Sequence, residues 1–246
     1  MLKLNCDLGE SFGAWQMGQD ELVMPLIDQA NIACGMHASD PMTMLQTVRL
    51  AHRYGVEIGA HPGYPDKAGF GRRAMALSAE EVYALVLYQV AALDGVARSL
   101  KTQVGYVKPH GALYHAMMND EPTRAAIMRA VADYPAELAL VVLANAEPQR
   151  LRNEAQQYGL ALRFEAFADR AYTDAGELVG RDQAGAVHDE LNAVLEQAQM
   201  IATQGRVRAQ SGRYIELPAD TLCVHGDTAN ALLAVTEIRK ALSTRY

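Results

Sequence analysis

Short apolar runs of strand length alternate along the whole chain with longer stretches whose apolar residues recur at helical spacing. Leu2–Leu8, Asn31–Gly35, Val56–Ala60, Gln103–Pro109, Ala139–Ala144, Ala161–Phe167 and Thr221–His225 read as strands. The stretches between them carry helix start and stop signals. Asp40 precedes Pro41 as an N-cap, and Gly55 follows the last turn. Ser78 and Glu81 form a capping box ahead of a stripe of Val82, Leu85, Val86, Val90, Leu93, Val96 and Ala97. A helix opening at Asn145 closes at Gly159, and Asp189–Ala202 and Thr228–Leu242 complete the set. Such alternation predicts parallel strands with helices packed outside them. Gly205–Leu217 breaks the pattern: Val207–Gln210 and Tyr214–Leu217 flank Ser211-Gly212, as in a β-hairpin insertion. No linker or low-complexity stretch interrupts the series, so residues 1–246 are expected to form one domain.

The 246 residues are half apolar, a length at which α/β barrels commonly stand as single domains. A net charge of −7 weighs against nucleic acid as a partner. Cys6, Cys34 and Cys223 are widely spaced in apolar runs, which fits reduced thiols packed in a core. The chain reads as strand from its first residues, with no secretory leader, and no apolar run approaches the ~20 residues of a membrane span. A soluble, cytoplasmic protein is expected.

The chemistry gathers just past the strands. Asn5-Cys6-Asp7-Leu8-Gly9-Glu10 ends the first, Cys34-Gly35-Met36-His37 the second and Ala60-His61-Pro62-Gly63 the third. Lys108-Pro109-His110-Gly111 ends the fourth, Ala168-Asp169-Arg170 the sixth and His225-Gly226-Asp227 the seventh. The carboxyl edge of a parallel sheet is where active sites assemble. Only a closed barrel would bring the first and last strands side by side, so that Asp7 and His225 share a site. Lys108 and His110 are two apart and should face the same way, as should Asn5 and Asp7. At such a polar mouth, alanine at Lys108 or His110 is expected to spare folding.

Some of these residues have plainer duties: Asp227 before Thr228 fits a helix N-cap, and His52 a solvated helix face. No phosphate loop, dinucleotide fingerprint, nucleophile elbow or HExxH helix occurs. Gly69-Phe70-Gly71-Arg72-Arg73 is a flexible cationic loop suited to phosphate. Asp7, Glu10, His37 and His61 suit a divalent cation, but without compact His spacing no tightly held zinc is expected.

Seven strings, taken in order, resemble the LamB/YcsF family, a family of 5-oxoprolinase A subunits. They are Leu4–Gly13, Ala30–Ala38, Gly59–Asp66, Gly69–Arg73, Val107–Tyr114, Glu165–Tyr172 and Cys223–Asp227, and Met36 stands where a Phe is usual. The resemblance implies a distorted seven-stranded TIM-like (β/α) barrel of the glycoside hydrolase/deacetylase type. It also implies a reaction in which 5-oxo-L-proline, ATP and two waters become L-glutamate, ADP and phosphate, carried out with two further subunits, B and C. On that reading Asp7, His61, Lys108, His110 and His225 are catalytic. Asn5, Glu10, His37, Arg72, Asp169, Arg170 and Asp227 then bind substrate or nucleotide. Lys108, Arg72 and Arg170 would meet phosphoryl charge, and Asp7 and Glu10 would hold Mg²⁺ arriving with ATP; no tightly bound cofactor is expected. The alternatives are a metal-dependent amide hydrolase or deacetylase on the same barrel, and a non-catalytic subunit of the complex.

Overall fold

The computed structural model describes residues 2–145, 148–188, 190–224 and 231–243. The chain runs β1 (Lys3–Leu8), α1 (Asp20–Val23), β2 (Gln29–Ala33), α2 (Pro41–Tyr54), β3 (Glu57–His61), α3 (Ala79–Ser99) and β4 (Val104–Val107). It continues through α4 (Gly111–Asn119), α5 (Glu121–Ala132), β5 (Ala139–Leu143), α6 (Pro148–Gln156), β6 (Ala161–Phe167) and α7 (Leu191–Gln204). A two-stranded antiparallel pair follows, β7 (Arg206–Arg208) with β8 (Tyr214–Glu216). Then come β9 (Thr221–Cys223) and α8 (Ala231–Ser243).

Seven strands form a closed parallel barrel in the order β1-β2-β3-β4-β5-β6-β9, with β9 pairing back onto β1. Closure sets Asn5 opposite Cys223, and Phe167 opposite the same cysteine on the other side. Strand alternation then divides the residues of β1. Leu4, Cys6 and Leu8 join the large apolar layer under the helices, while Asn5 and Asp7 enter a polar network inside the barrel. Tyr106 packs with Ala139 and Val141 in a small separate cluster and donates its hydroxyl to Asn31 at 2.7 Å. Gly59 makes room for that ring, because a Cβ there would lie 2.1 Å from it.

The helix signals act as their chemistry requires. The Asp40 carboxylate accepts from the amides of Met42 and Thr43, each at 2.9 Å, and Gly55 ends α2 in the left-handed region at φ 66°. Ser78 and Glu81 complete their box at the head of α3. Several elements differ from the sequence-based expectation, among them three near the site. β2 begins and ends two residues earlier, because Gln29 pairs with both Asn5 and Glu57; Cys34 and Gly35 therefore lie past the strand. The interval between β4 and β5, which the sequence pattern leaves without a helix, holds two. α4 starts on a glycine at φ 52° with no side-chain cap, which hides it. α5 does have a readable start, with Asp120 accepting from the Thr123 amide at 2.9 Å and Pro122 in the first turn.

Candidate active site

The site is built in tiers at the carboxyl ends of the strands. Lowest is an amide layer in which the Asn31 side-chain amide donates to Asn5 Oδ1 at 2.8 Å and to Asp7 Oδ1 at 2.7 Å. Asn5 in turn donates to the Thr221 hydroxyl at 2.7 Å, across the β1–β9 seam.

Above it lies Lys108, only 2% exposed. Its ammonium stands 2.9 Å from Asp7 Oδ1, 2.9 Å from Glu165 Oε1 and 3.1 Å from Cys223 Sγ. Burial opposes the ammonium charge, but Asp7, Cys223 and Glu165 outweigh it and hold Lys108 well above the usual lysine range. Burial pushes Glu165 above the ordinary carboxylate range, and Lys108 only partly offsets this. The Cys223 thiol is likewise driven up by burial, and Cys34 to about 12, so neither is a thiolate nucleophile. Lys108 is therefore not a free cation at a solvated mouth, so the premise for expecting its loss to spare folding does not hold. It is the counter-charge that permits two carboxylates inside the barrel.

The top tier contains three histidines and an acid. His61, at the end of β3, places Nε2 3.2 Å from Asp7 Oδ2 and 3.0 Å from His110 Nδ1. Its own Nδ1 lies 2.7 Å from the Lys108 carbonyl oxygen, and His110 Nε2 lies 2.8 Å from that of Phe70. His37 stacks on His110 with ring centroids 3.8 Å apart, its Nε2 3.3 Å from Glu10 Oε1. Gly63 and Gly71 allow this packing: a Cβ at Gly63 would sit 2.6 Å from His37 Nδ1, and one at Gly71 2.7 Å from His37 Cβ. All four side chains are buried. Burial and the neighbouring imidazoles push His37 and His110 well below the usual histidine range, so both are neutral. The nearest ligand atoms of Glu10, His37, His61 and His110 lie within 4.8 Å of one another, a set able to hold a metal ion. No spacing in the sequence shows this, because four separate β-strand ends contribute.

A cavity of about 410 Å³ opens onto this tier. Asp7, Glu10, His61, Lys108 and His110 line it together with Arg72, Arg170, Arg181, Asp182 and His115 and with the rings of Phe70, Tyr114 and Phe167. Burial pulls Arg170 down to about 10, helped by Arg181, and the same two arginines add to the burial that lowers His115. Sequence assigns Arg170 to phosphoryl groups, yet its Nε donates to the Ala186 carbonyl at 3.1 Å and one Nη to that of Val179 at 2.5 Å. It fastens the segment after β6 as well as lining the cavity. Arg72 sits over the Phe70 ring, 5.0 Å from its centroid, whereas Arg73 turns outward to pair with Asp66.

Of the residues singled out from sequence, the fold brings together Asn5, Asp7, Glu10, His37, His61, Lys108 and His110. Arg72 and Arg170 lie on the cavity wall. Asp169 is buried beside Arg170 without lining the cavity. His225 and Asp227 lie outside the described residues. Glu165 escapes the sequence reading because it lies within β6 rather than past it. An acid between Phe164 and Ala166, in a strand buried on both faces, is the available signal.

Among the described residues no helix is long and apolar enough to cross a membrane. The profile of the LamB/YcsF family matches residues 2–245. The A subunit of a 5-oxoprolinase from Vibrio campbellii is 50% identical over 243 residues, covering 99% of this chain and 96% of that protein. A 5-oxoprolinase A subunit from Pseudomonas aeruginosa is 53% identical, covering 98% and 96%. The crystal structure of a lactam utilization protein from Thermus thermophilus superposes with a TM-score of 0.90 at 42% identity, covering 99% of this chain and 96% of that one. With the same barrel and half of the residues shared along essentially its full length, the chain belongs to the LamB/YcsF family.

Proposed function

We propose that this chain is the A subunit of a 5-oxoprolinase that opens 5-oxo-L-proline to L-glutamate at the expense of ATP, together with B and C subunits. The observation that carries the reading is the full-length similarity to 5-oxoprolinase A subunits, joined to a cavity lined by acids, histidines and several cations. The lactam is a resonance-stabilised amide, so its carbon is a poor electrophile. Transfer of the γ-phosphoryl group of ATP to the amide oxygen releases ADP and leaves an activated carbon. Water adds there, the C–N bond breaks, and the ring nitrogen takes up a proton. A second water then releases phosphate from the acyl phosphate, which balances the two waters consumed.

Within this reaction the adjacent pair His61 and His110, 3.0 Å apart, suits proton movement near the ring nitrogen. Asp7 orients His61, and Lys108 holds Asp7. Arg72, Arg170 and Arg181 supply the cationic wall for the substrate carboxylate and the transferring phosphoryl group, and Mg²⁺ arrives with the nucleotide. The test is glutamate formation from 5-oxoproline by the purified chain combined with its B and C partners, with and without ATP. Glutamate is expected only with ATP and all three proteins. Release in the absence of any nucleoside triphosphate would overturn the proposal and favour an ATP-independent amide hydrolase.

A further inference from the structure

The hydrogen bonds of the histidine tier aim two ring lone pairs at a single spot. A carbonyl oxygen can only accept, so the ring nitrogen facing it must carry the hydrogen. His61 Nδ1 faces the Lys108 carbonyl at 2.7 Å, which leaves the lone pair on Nε2. His110 Nε2 faces the Phe70 carbonyl at 2.8 Å, which leaves the lone pair on Nδ1. Those two lone-pair nitrogens are the atoms that stand 3.0 Å apart. Their surroundings worsen the repulsion: Asp7 Oδ2 is 3.2 Å from His61 Nε2, and Glu10 Oε1 is 3.6 Å from His110 Nδ1. Two ring lone pairs thus point at one spot beside two carboxylate groups, of which Asp7 also meets the Lys108 ammonium through its other oxygen, and a cation at that spot would be drawn by all of them.

We propose that Glu10, His37, His61 and His110 bind a divalent first-row transition ion, one per chain, through Glu10 Oε1, His37 Nε2, His61 Nε2 and His110 Nδ1. Ligation at His61 Nε2 and His110 Nδ1 competes with the proton movement that the proposed reaction assigns to His61 and His110, whose other ring nitrogens are held by carbonyls. Three imidazoles and one carboxylate select Mn²⁺, Fe²⁺, Co²⁺, Ni²⁺ or Zn²⁺ over the oxygen-loving Mg²⁺ and Ca²⁺. At metal–nitrogen distances of about 2.1 Å, nitrogens 3.0 Å apart subtend about 90° at the ion. That angle suits cis positions of a five- or six-coordinate site better than a closed tetrahedral one, leaving room for a further ligand from the cavity. The second ring nitrogens of His61 and His110 are already held by main-chain carbonyls, the outer contact that orients metal-binding histidines. The competing occupant of that spot is a proton shared between His61 and His110.

The experiment uses the whole chain, purified without a histidine tag, stripped with chelator and titrated with Co²⁺. Binding of one equivalent is expected, with weak visible d–d bands of nitrogen and oxygen ligation and a raised melting temperature. His61→Ala and His110→Ala should each weaken Co²⁺ binding by about 100-fold or more. If either variant fails to fold, Glu10→Gln serves in its place, and the wild-type titration decides alone. Failure of the wild-type chain to bind Co²⁺, Mn²⁺ or Zn²⁺ stoichiometrically at millimolar concentration would overturn the proposal. So would binding that survives unchanged in folded variants of these residues.

Discussion

At the scale of single residues, Lys108 shows how burial changes the meaning of a charge. Removing it takes away the ammonium that stands 2.9 Å from both Asp7 and Glu165. Lys108→Ala is therefore expected to destabilise the fold by about 3–5 kcal/mol, the cost of breaking a buried pair from one side. Adding Glu165→Gln should restore part of that loss, a non-additivity that urea denaturation of both single variants and the double variant measures directly. Wild-type stability in Lys108→Ala would mean that the two acids are not charged in the folded chain. The sequence makes Lys108 and Asp7 legible as site residues, since both sit where strands end and glycines begin. It does not show their pairing, because their partner Glu165 is fixed by barrel geometry rather than by spacing. The same holds for His37, His61 and His110: each is visible alone, whereas the stacked and edge-on contacts between them exist only once β2, β3 and β4 are side by side.

At the scale of elements, the strands are legible because a parallel core strand is apolar on both faces and bounded by glycine or polar turns. α2 and α3 are legible because their caps are side chains; α4 is not, because its N-terminus has none. The segment from Asp169 to His188 carries little regular structure and is anchored by two side chains together with backbone hydrogen bonds. Arg170 holds it through Ala186 and Val179, and Gln197 on α7 donates to the carbonyls of Phe167 and Arg170 at 2.8 and 2.7 Å. Lysine cannot copy the guanidinium fork, so Arg170→Lys should loosen this segment while the barrel persists. Faster amide exchange confined to residues 170–188, with a stability loss of about 1–3 kcal/mol, is the expected result. Unchanged exchange there would show that Gln197 and the backbone contacts suffice.

At the scale of the whole molecule, closure follows from chemistry, on the ground that the first and last strands must share a site, and the β1–β9 ladder supplies that closure. The hydrophobic pattern alone does not distinguish an open sheet from a barrel, since both bury parallel strands under helices. Closure depends on β9, whose three residues pair with β1 on one side and β6 on the other. A chain cut after Pro218 should expose two unpaired strand edges and elute from gel filtration as oligomers or aggregate, whereas the complete chain remains discrete. A discrete, folded truncated chain would show that the helical layer can seal the sheet without its last strand. The order of the strands also has a consequence in time. During synthesis β1 waits for its second neighbour until nearly the whole chain has been made, roughly 10–40 s at ordinary elongation rates. Glu10 and all three histidines of the top tier emerge long before that. Lys108 is made before Glu165, so the chain first carries Asp7 and Lys108 as a balanced pair, and the second buried acid is added afterwards, still ahead of the strand that closes the seam.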